Sequence, residues 1–238
     1  MNFKDCLEKY AQQAGFTLSS AQITELEQYY ELLIETNKVM NLTAITEVRE
    51  VVLKHLIDSF YAYEQQLFPP AAKVCDLGTG AGFPGIPLKI WQPELKVTLM
   101  DSLAKRLKFL DQVITTVGLE QISTCHLRAE DAGRSKAHRE QYDIVCSRAV
   151  ARLQILAEYC LPLLKTGGIF VAMKASNYQA ELEQATQALK VLGGKIVKIK
   201  QVQLPELEDK RVVIYIKKER ATAKTYPRKA GIPEKNPL

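Results

Sequence analysis

Residues 74–85 read VCDLGTGAGFPG, a glycine-rich stretch that follows strand-forming residues and precedes a helical pattern. Glycines let the chain turn tightly and let a ligand approach the backbone. The spacing of Gly80, Gly82 and Gly85 satisfies the dinucleotide fingerprint, although a lone GxGxxG is a weak indication. Asp76 stands at the strand end, where a carboxylate suits a ligand with an ammonium group better than a pyrophosphate. The stretch therefore predicts a ligand-binding turn at a sheet edge.

Strand patterns alternate with helical patterns after this turn, which is typical of βαβ units and a parallel sheet. The predicted strands are Lys73–Leu77, Lys96–Asp101, Ile122–Arg128, Asp143–Ser147, Ile169–Lys174, Lys195–Leu204 and Arg211–Lys217. The predicted helices are Gly85–Trp91, Leu103–Val117, Leu153–Leu164 and Tyr178–Leu192, with Ser102 as an N-cap and Gly118 and Gly167 as C-caps. No helix separates the last two strands, so they predict an antiparallel hairpin. The fold class is Rossmann-like α/β, with a mostly parallel seven-stranded sheet.

Residues 1–68 precede this region and show only helical patterns. Gly15 is predicted to end a first helix, and Ser19 begins a second with Gln22 as its capping-box partner. The predicted apolar stripe of this second helix is Ile23, Leu26, Tyr30, Leu33 and Ile34. A third helix is expected over Val48–Leu67, before the proline pair at 69–70. We therefore predict an N-terminal helical region, 1–68, before an α/β core, 69–217.

A basic tail, residues 218–238, completes the chain. The net charge is +5, and residues 217–238 account for it with seven Lys or Arg and two Asp or Glu. Proline and glycine in the tail favour an extended chain over a helix. A neutral body with a basic tail indicates a polyanionic partner. The residues predicted to bind phosphates of RNA are Arg220, Lys224, Arg228 and Lys229.

Several classes of protein are disfavoured by composition. No apolar run approaches the roughly 18 residues that a membrane-spanning helix needs, and the first ten residues alternate apolar and charged side chains. A cytoplasmic protein without a signal peptide or a membrane partner is therefore expected. The five cysteines include no CxxC pair, and His55, His126 and His138 have no metal-ligand spacing. We predict no disulfide framework and no metal ion.

Polar residues follow the other predicted strands at the same sheet edge. Asp101 ends the second strand, where a carboxylate can accept hydrogen bonds from both hydroxyls of a ribose. Ala129 and Glu130 follow the third strand, where they can contact an adenine edge, and Arg148 follows the fourth. Each position alone fits a turn residue, but together with the glycine turn they predict one nucleoside-containing cofactor.

The glycine turn resembles the first motif of class I methyltransferases, and further motifs resemble one family of them. These motifs are Asn41-Leu42-Thr43, His55-Leu56-Ile57-Asp58-Ser59, Ser147-Arg148-Ala149-Val150, Met173-Lys174 and Arg228-Lys229-Ala230-Gly231-Ile232-Pro233. Together they resemble the bacterial glucose-inhibited division protein B family, the 16S ribosomal RNA (guanine-N7)-methyltransferases G. The resemblance covers nearly the whole chain and implies S-adenosylmethionine as methyl donor, S-adenosylhomocysteine as product and a guanine of small-subunit RNA as acceptor. Carried over position by position, it implies a cofactor site lined by Gly78, Phe83, Ala129, Glu130 and Arg148; Gly80 and Asp101 join this predicted set.

The absence of some nucleic-acid methylation motifs agrees with attack by guanine N7. Residues 147–150 stand where exocyclic-amine methyltransferases carry an Asn/Asp-Pro-Pro-aromatic motif, and no cysteine follows a proline as in C5-methyltransferases. Guanine N7 carries a lone pair and no proton, so positioning rather than a general base is required. We therefore assign no certain catalytic residue. The predicted substrate contacts are His55, Lys174 and Arg148, with Asp58 one turn beyond His55.

The sequence leaves three alternatives open. A dinucleotide-dependent oxidoreductase would need a second substrate domain, for which 238 residues leave little room. A non-catalytic RNA-binding assembly factor would share the fold and bind RNA through its tail without methyl transfer. A methyltransferase for proteins or small molecules would not need the basic tail. The expected partner is small-subunit RNA, either free or within a ribosomal particle, and no obligatory protein partner is evident.

Overall fold

A seven-stranded sheet forms the centre of the protein in the computed structural model, which describes residues 1–176, 178–208 and 210–238. The strands are β1 (Lys73–Leu77), β2 (Lys96–Asp101), β3 (Ile122–His126), β4 (Tyr142–Arg148), β5 (Leu164–Ala175), β6 (Gly194–Gln203) and β7 (Lys210–Lys218). Their order is β3-β2-β1-β4-β5-β7-β6. The first five strands are mutually parallel, whereas β7 is antiparallel to both β5 and β6. The predicted sheet with its terminal hairpin is therefore confirmed.

Helices cover both faces of this sheet. They are α1 (Phe3–Gln13), α2 (Ser20–Asn37), α3 (Val48–Val51), α4 (Asp58–Phe60), α5 (Gly85–Trp91), α6 (Ala104–Val117), α7 (Ala129–Ala132), α8 (Leu153–Cys160), α9 (Gln179–Leu192) and α10 (Ile232–Lys235). Successive strand residues point to opposite faces: Ile144 and Cys146 join the core beneath the N-terminal helices, and Val145 joins the core beneath α8 and α9. The N-terminal helices thus share one hydrophobic core with the sheet.

The predicted third helix, Val48–Leu67, is wrong in its extent and its geometry. A π-helical segment, Val52–Ile57, joins α3 to α4, and the helical run ends at Phe60. Beyond it the chain turns so that Tyr63 contacts Phe68 and Trp91 in an aromatic cluster, with ring centroids 4.8 and 5.5 Å away. Aromatic packing therefore ends the helix before the proline pair that the sequence indicated as its limit.

Local end signals were predicted with mixed success. Gly15 and Gly118 have the expected left-handed conformation, and Ser19 forms its capping box with Gln22. Leu103, rather than Ser102, is the N-cap of α6, and its N–H donates a hydrogen bond to the Asp101 carboxylate.

Three further predictions about local structure need correction. Gly167 has a left-handed φ but lies within β5, because α8 ends earlier and a 3₁₀ turn follows it. On α2, Tyr29 is buried where the predicted stripe placed Tyr30. The tail includes the short helix α10, although proline and glycine indicated an extended chain.

Within the described ranges, no helix is long and apolar enough to span a bilayer.

Candidate active site

The glycine turn leaves β1 and bends at the carboxyl edge of the sheet. Gly78 and Gly80 have φ values of 71° and 60°, in the left-handed region that glycine adopts without a Cβ penalty. The N–H groups of Gly78 and Thr79 donate to the Met100 carbonyl at 2.8 and 3.1 Å, which ties the turn to β2. A side chain at Gly85 would place its Cβ 2.4 Å from Leu99, so glycine there allows α5 to approach β2. The local sequence thus fixes the turn against two neighbouring strands.

Asp76 organises the inner side of this turn. Its Oδ2 accepts hydrogen bonds from the Thr79 hydroxyl at 2.6 Å and from the Gly85 N–H at 2.8 Å. The other oxygen, Oδ1, is buried and has no hydrogen-bond partner among the described residues. Burial raises the pKa of this carboxyl to about 6, against the opposing effect of its two hydrogen bonds. Asp76 therefore has one oxygen engaged in structure and one buried oxygen that needs a donor.

Asp101 connects the turn to the end of β2. Its Oδ2 accepts from the Gly80 N–H at 3.0 Å, and its Oδ1 accepts from the Leu103 N–H at 2.9 Å. The guanidinium of Arg106 lies 3.4 Å from Oδ2. The Asp101 side chain is almost wholly buried. These contacts fix the plane of the Asp101 carboxylate at the strand end, as a preorganised ligand group requires.

A cavity of about 280 Å³, here called the donor cavity, opens beside the turn. Four of the predicted cofactor residues line it: Gly78, Asp101, Ala129 and Glu130. Gly80 lies behind this wall and contributes through its hydrogen bond to Asp101. The structure thus brings together residues from the ends of three strands, although their role in cofactor binding remains a prediction.

Phe83 and Arg148, the other two predicted cofactor residues, lie on the far side of the turn. The Phe83 ring stacks on His55 with centroids 4.5 Å apart, and the Arg148 guanidinium lies 5.0 Å from its centre. Arg148 Nη1 donates to Asp58 Oδ2 at 2.8 Å and to the Lys54 carbonyl at 3.1 Å. The sequence predicted these residues as separate contacts, and the structure assembles them into one cluster with the π-helical segment.

His55 is held neutral within that cluster. Burial and, to a smaller extent, the positive charge of Arg148 together lower its pKa to about 3. Its Nε2 lies 2.9 Å from the Thr43 hydroxyl, and its Nδ1 lies 3.1 Å from the Lys54 carbonyl. The first contact joins two of the motifs, Asn41–Thr43 and His55–Ser59, that carried the family resemblance. A histidine with this pKa does not bind a proton near neutral pH.

A larger cavity of about 480 Å³, here called the acceptor cavity, lies next to this cluster. The predicted substrate contacts His55, Arg148 and Lys174 all line it, together with Asp58. Its other charged lining residues are Lys54, Glu181 and Arg211, which sequence reasoning missed. Because β7 is antiparallel, its first residues lie at the edge where the parallel strands end. The strand order would have identified Arg211, but the sequence alone does not give that order.

The two cavities share a wall made by the loop after β4. Ala149 lines the acceptor cavity and Val150 lines the donor cavity. Lys174 supports this loop, since its ammonium donates to the Ala151 carbonyl at 2.8 Å and pairs with Glu181 at 2.6 Å. The Glu181 carboxylate also accepts from the Leu153 N–H at 2.8 Å. Lys174 therefore reaches both the acceptor cavity and the loop that divides this cavity from the donor cavity.

The four basic residues predicted to bind RNA differ in their surroundings. Lys224 and Lys229 are exposed, as is Arg220, whose guanidinium donates to the Lys190 carbonyl. Arg228 instead forms an ion pair with Glu158 at 2.7 Å. RNA binding by these residues stays a prediction. The side chains of the two exposed lysines, Lys224 and Lys229, make the fewest contacts within the described chain.

Comparison with known proteins agrees with this architecture. The model of a family described as GidB, rRNA small subunit methyltransferase G, matches residues 22–212. The chain belongs to this family. A curated relative from Desulforamulus reducens, Ribosomal RNA small subunit methyltransferase G, is 50% identical over 98% of this chain and 97% of its own length. The protein of the same name from Exiguobacterium sibiricum is 49% identical over 100% of both chains. The resemblance inferred from the sequence motifs is therefore confirmed.

Solved structures agree with the fold of this family member. TYW2 of M. jannaschii in complex with AdoMet has a TM-score of 0.52 at 16% identity and covers 68% of this chain and 74% of its own. TYW2 of P. horikoshii in complex with MeSAdo has the same TM-score and identity, and covers 68% of this chain and 62% of its own. Family and fold together confirm the prediction of a methyltransferase.

Proposed function

We propose that this enzyme transfers a methyl group from S-adenosylmethionine to N7 of a guanine in small-subunit ribosomal RNA. The observation that carries the proposal is the pair of adjoining cavities at the carboxyl edge of the sheet. Consecutive residues, Ala149 and Val150, line one cavity each, so a donor and an acceptor bound there would lie side by side at the edge of this loop. In-line transfer needs this proximity and little else from the protein.

The donor cavity has the groups that S-adenosylmethionine requires. The sulfonium of this cofactor supplies an electrophilic methyl group when it is bound. Asp101 offers a carboxylate of fixed orientation for ribose hydroxyls, and Glu130 lies where an adenine edge would be contacted. Asp76 is not among the residues that line the cavity, but its Oδ1 is a buried oxygen that needs a donor, and the ammonium of the methionine part would provide one. Position 78 in the cavity wall leaves no room for a side chain, because a Cβ there would lie 2.5 Å from a methyl group of Val150.

The acceptor cavity suits a nucleotide. Its charged lining residues are Lys54, Arg148, Lys174 and Arg211, with Asp58 and Glu181, so cations exceed anions in the cavity wall. Guanine N7 has an open lone pair and needs no base, which agrees with a histidine whose pKa of about 3 makes it a weak base. His55 and Arg148 then position the base, with Phe83 supporting them from behind. Lys174 acts as a positioning residue for the loop between the cavities.

The acceptor guanine must be reachable from the acceptor cavity. N7 lies in the deep, narrow major groove of A-form RNA, so the base must stand in a loop or be extruded. Phosphates flanking it would contact Lys54 and Arg211 at the cavity wall, and Lys224 and Lys229 further out on the tail. We infer that this reaction takes place in the cytoplasm, on RNA that is free or within a small-subunit particle.

The deciding experiment measures tritiated methyl transfer to small-subunit particles from a strain that lacks the enzyme, with the modified base identified by mass. We expect 7-methylguanosine. Lys54→Ala should raise KM for the particle several-fold, whereas Lys4→Ala, an exposed lysine on α1, should leave it unchanged. RNA binding without methyl incorporation would favour an assembly factor, and binding of NADH but not S-adenosylmethionine would favour an oxidoreductase; either result rejects the proposal.

A further inference from the structure

The C-terminal tail returns to the sheet edge and reaches the donor cavity. Gly231 and Glu234 line that cavity alongside Gly78 and Asp101, although they lie about 130 residues or more further along the sequence. We propose that residues 231–234 form one wall of the donor site and set its affinity for the adenosine end of the cofactor. The identity of the ligand rests on the proposed function, whereas the wall itself rests on the contacts below.

The tail makes a direct contact with the residue expected to read the adenine. The N–H of Gly231 donates to Glu130 Oε1 at 3.1 Å, and the Tyr159 hydroxyl lies 3.5 Å from the same oxygen. Glu130 is 7% exposed and lines the cavity, so this contact fixes which of its oxygens faces a ligand. Gly231 has φ +77°, a conformation that directs its N–H at Glu130 and that other residues adopt with strain. The tail is therefore a positioning element for Glu130.

An ion pair between Arg228 and Glu158 anchors the segment that leads into this wall. The Glu158 side chain is 1% exposed, and its two oxygens accept from Arg228 Nε at 2.9 Å and Nη2 at 2.7 Å. The backbone N–H of Arg228 donates to the same carboxylate at 2.7 Å. A buried carboxylate is tolerated only when it is paired and hydrogen-bonded in this way. Glu158 lies on α8, whose Tyr159 also reaches Glu130, so one helix connects the anchor with the cavity.

Two arginines of the α/β core secure the segment before Arg228. Arg139 donates to the Thr222 and Tyr226 carbonyls at 2.6 and 2.7 Å, and Arg134 Nε donates to the Pro227 carbonyl at 2.9 Å. Main-chain carbonyls are fixed acceptors, so these bonds define the path of the backbone rather than the position of a mobile side chain. The tail therefore enters the donor site along a defined route, and part of its basic charge serves this attachment.

A truncated chain that ends at Ala230 tests the inference. It keeps the Arg228–Glu158 pair and the contacts of Arg134 and Arg139, and removes residues 231–238, which include the cavity-lining Gly231 and Glu234. We expect calorimetry with S-adenosylhomocysteine to show a dissociation constant raised about tenfold or more, the loss expected when a buried, hydrogen-bonded contact is removed. An unchanged dissociation constant in the truncated chain would overturn the inference.

A second variant in the full chain guards against a folding defect. Gly231→Ala adds a methyl group where no atom of the described residues lies within 4 Å, so it strains the backbone without a clash and shifts the N–H that donates to Glu130. The dissociation constant for S-adenosylhomocysteine should rise several-fold. The dissociation constant for 5′-methylthioadenosine, which lacks the amino-acid end, should rise by the same factor. Loss confined to S-adenosylhomocysteine would reject a wall at the adenosine end. If the unaltered enzyme bound neither compound, the proposed function itself would fail.

Discussion

Asp76 is a residue whose burial opposes its ionisation. Its pKa in the folded protein is raised to about 6 from the ordinary value of 3.8, chiefly by burial. The folded state therefore binds a proton more tightly than the unfolded state between these values. It follows that this group favours folding below pH 4 and that its contribution is lost as the pH rises through 6. The proposed ammonium contact would recover part of this cost when the cofactor binds.

Asp76→Asn isolates this effect, because an amide oxygen can still accept hydrogen bonds from Thr79 and Gly85 without carrying a charge. Relative to the unaltered enzyme, the variant should gain free energy of unfolding as the pH rises from 4 to 7, by up to about 3 kcal/mol. Its affinity for S-adenosylhomocysteine at pH 8 should fall in spite of this gain. Urea unfolding across the pH range, followed by calorimetry, checks both; a difference in stability that is independent of pH would contradict the prediction.

At the scale of elements, the N-terminal helices support the glycine turn. The Tyr29 hydroxyl on α2 donates to the Ala81 carbonyl at 2.6 Å, in a buried position. From the π-helical segment, His55 stacks on Phe83 two residues further along the turn. A π-helical turn within an α-helix is a frequent feature of functional sites. The helical extension thus holds the turn from outside while β2 holds it from inside.

Tyr29→Phe removes the hydroxyl and leaves the Ala81 carbonyl without its donor. An unsatisfied buried acceptor costs about 1–3 kcal/mol, and we expect a loss of stability in that range together with weaker binding of S-adenosylhomocysteine. The matched control is Tyr30→Phe on the same helix, which keeps the ring stacked on Phe3 at 4.7 Å. Urea midpoints and calorimetry compare the two variants. Equal effects of both substitutions on cofactor binding would show that α2 does not support the turn.

Regular elements could be predicted from the sequence where local patterns decide them. β1, β2 and α5 begin and end at the predicted residues, because each is a short apolar run between strong end signals. β5 begins at Leu164, five residues before its prediction, through an irregular pairing with β4 that no local pattern encodes. The π-helical segment was missed for a similar reason, since its sequence fits an ordinary helix and its geometry depends on packing against Arg148 and Phe83.

At the scale of the whole molecule, strand order decides which residues meet. The donor cavity follows consecutive strand ends, so sequence order predicted four of its lining residues, Gly78, Asp101, Ala129 and Glu130. The acceptor cavity instead combines the π-helical segment with the ends of β4 and β5 and the beginning of β7, which the chain separates widely. Arg211 was missed because nothing in the sequence fixes β7 between β5 and β6. Lys54 and Glu181 were missed because they reach this cavity from the π-helical segment and α9 through tertiary packing. The division into regions 1–68, 69–217 and 218–238 stays a prediction.

The tail combines two roles in one segment, and they can be separated. Lys224 and Lys229 are exposed, whereas the residues that line the donor cavity lie beyond them. Replacing both lysines with alanine should weaken RNA binding and reduce the slope of log affinity against log salt by about 1–2, as expected for two lost phosphate contacts. The dissociation constant for S-adenosylhomocysteine should not change, because neither lysine touches that cavity. Filter binding across a salt series, beside calorimetry, measures both quantities.

The chain truncated after Ala230 should show the opposite pattern, with an unaltered salt slope and weakened cofactor binding. An unchanged slope in the double variant would place the RNA-binding surface elsewhere, at the acceptor cavity with Lys54 and Arg211.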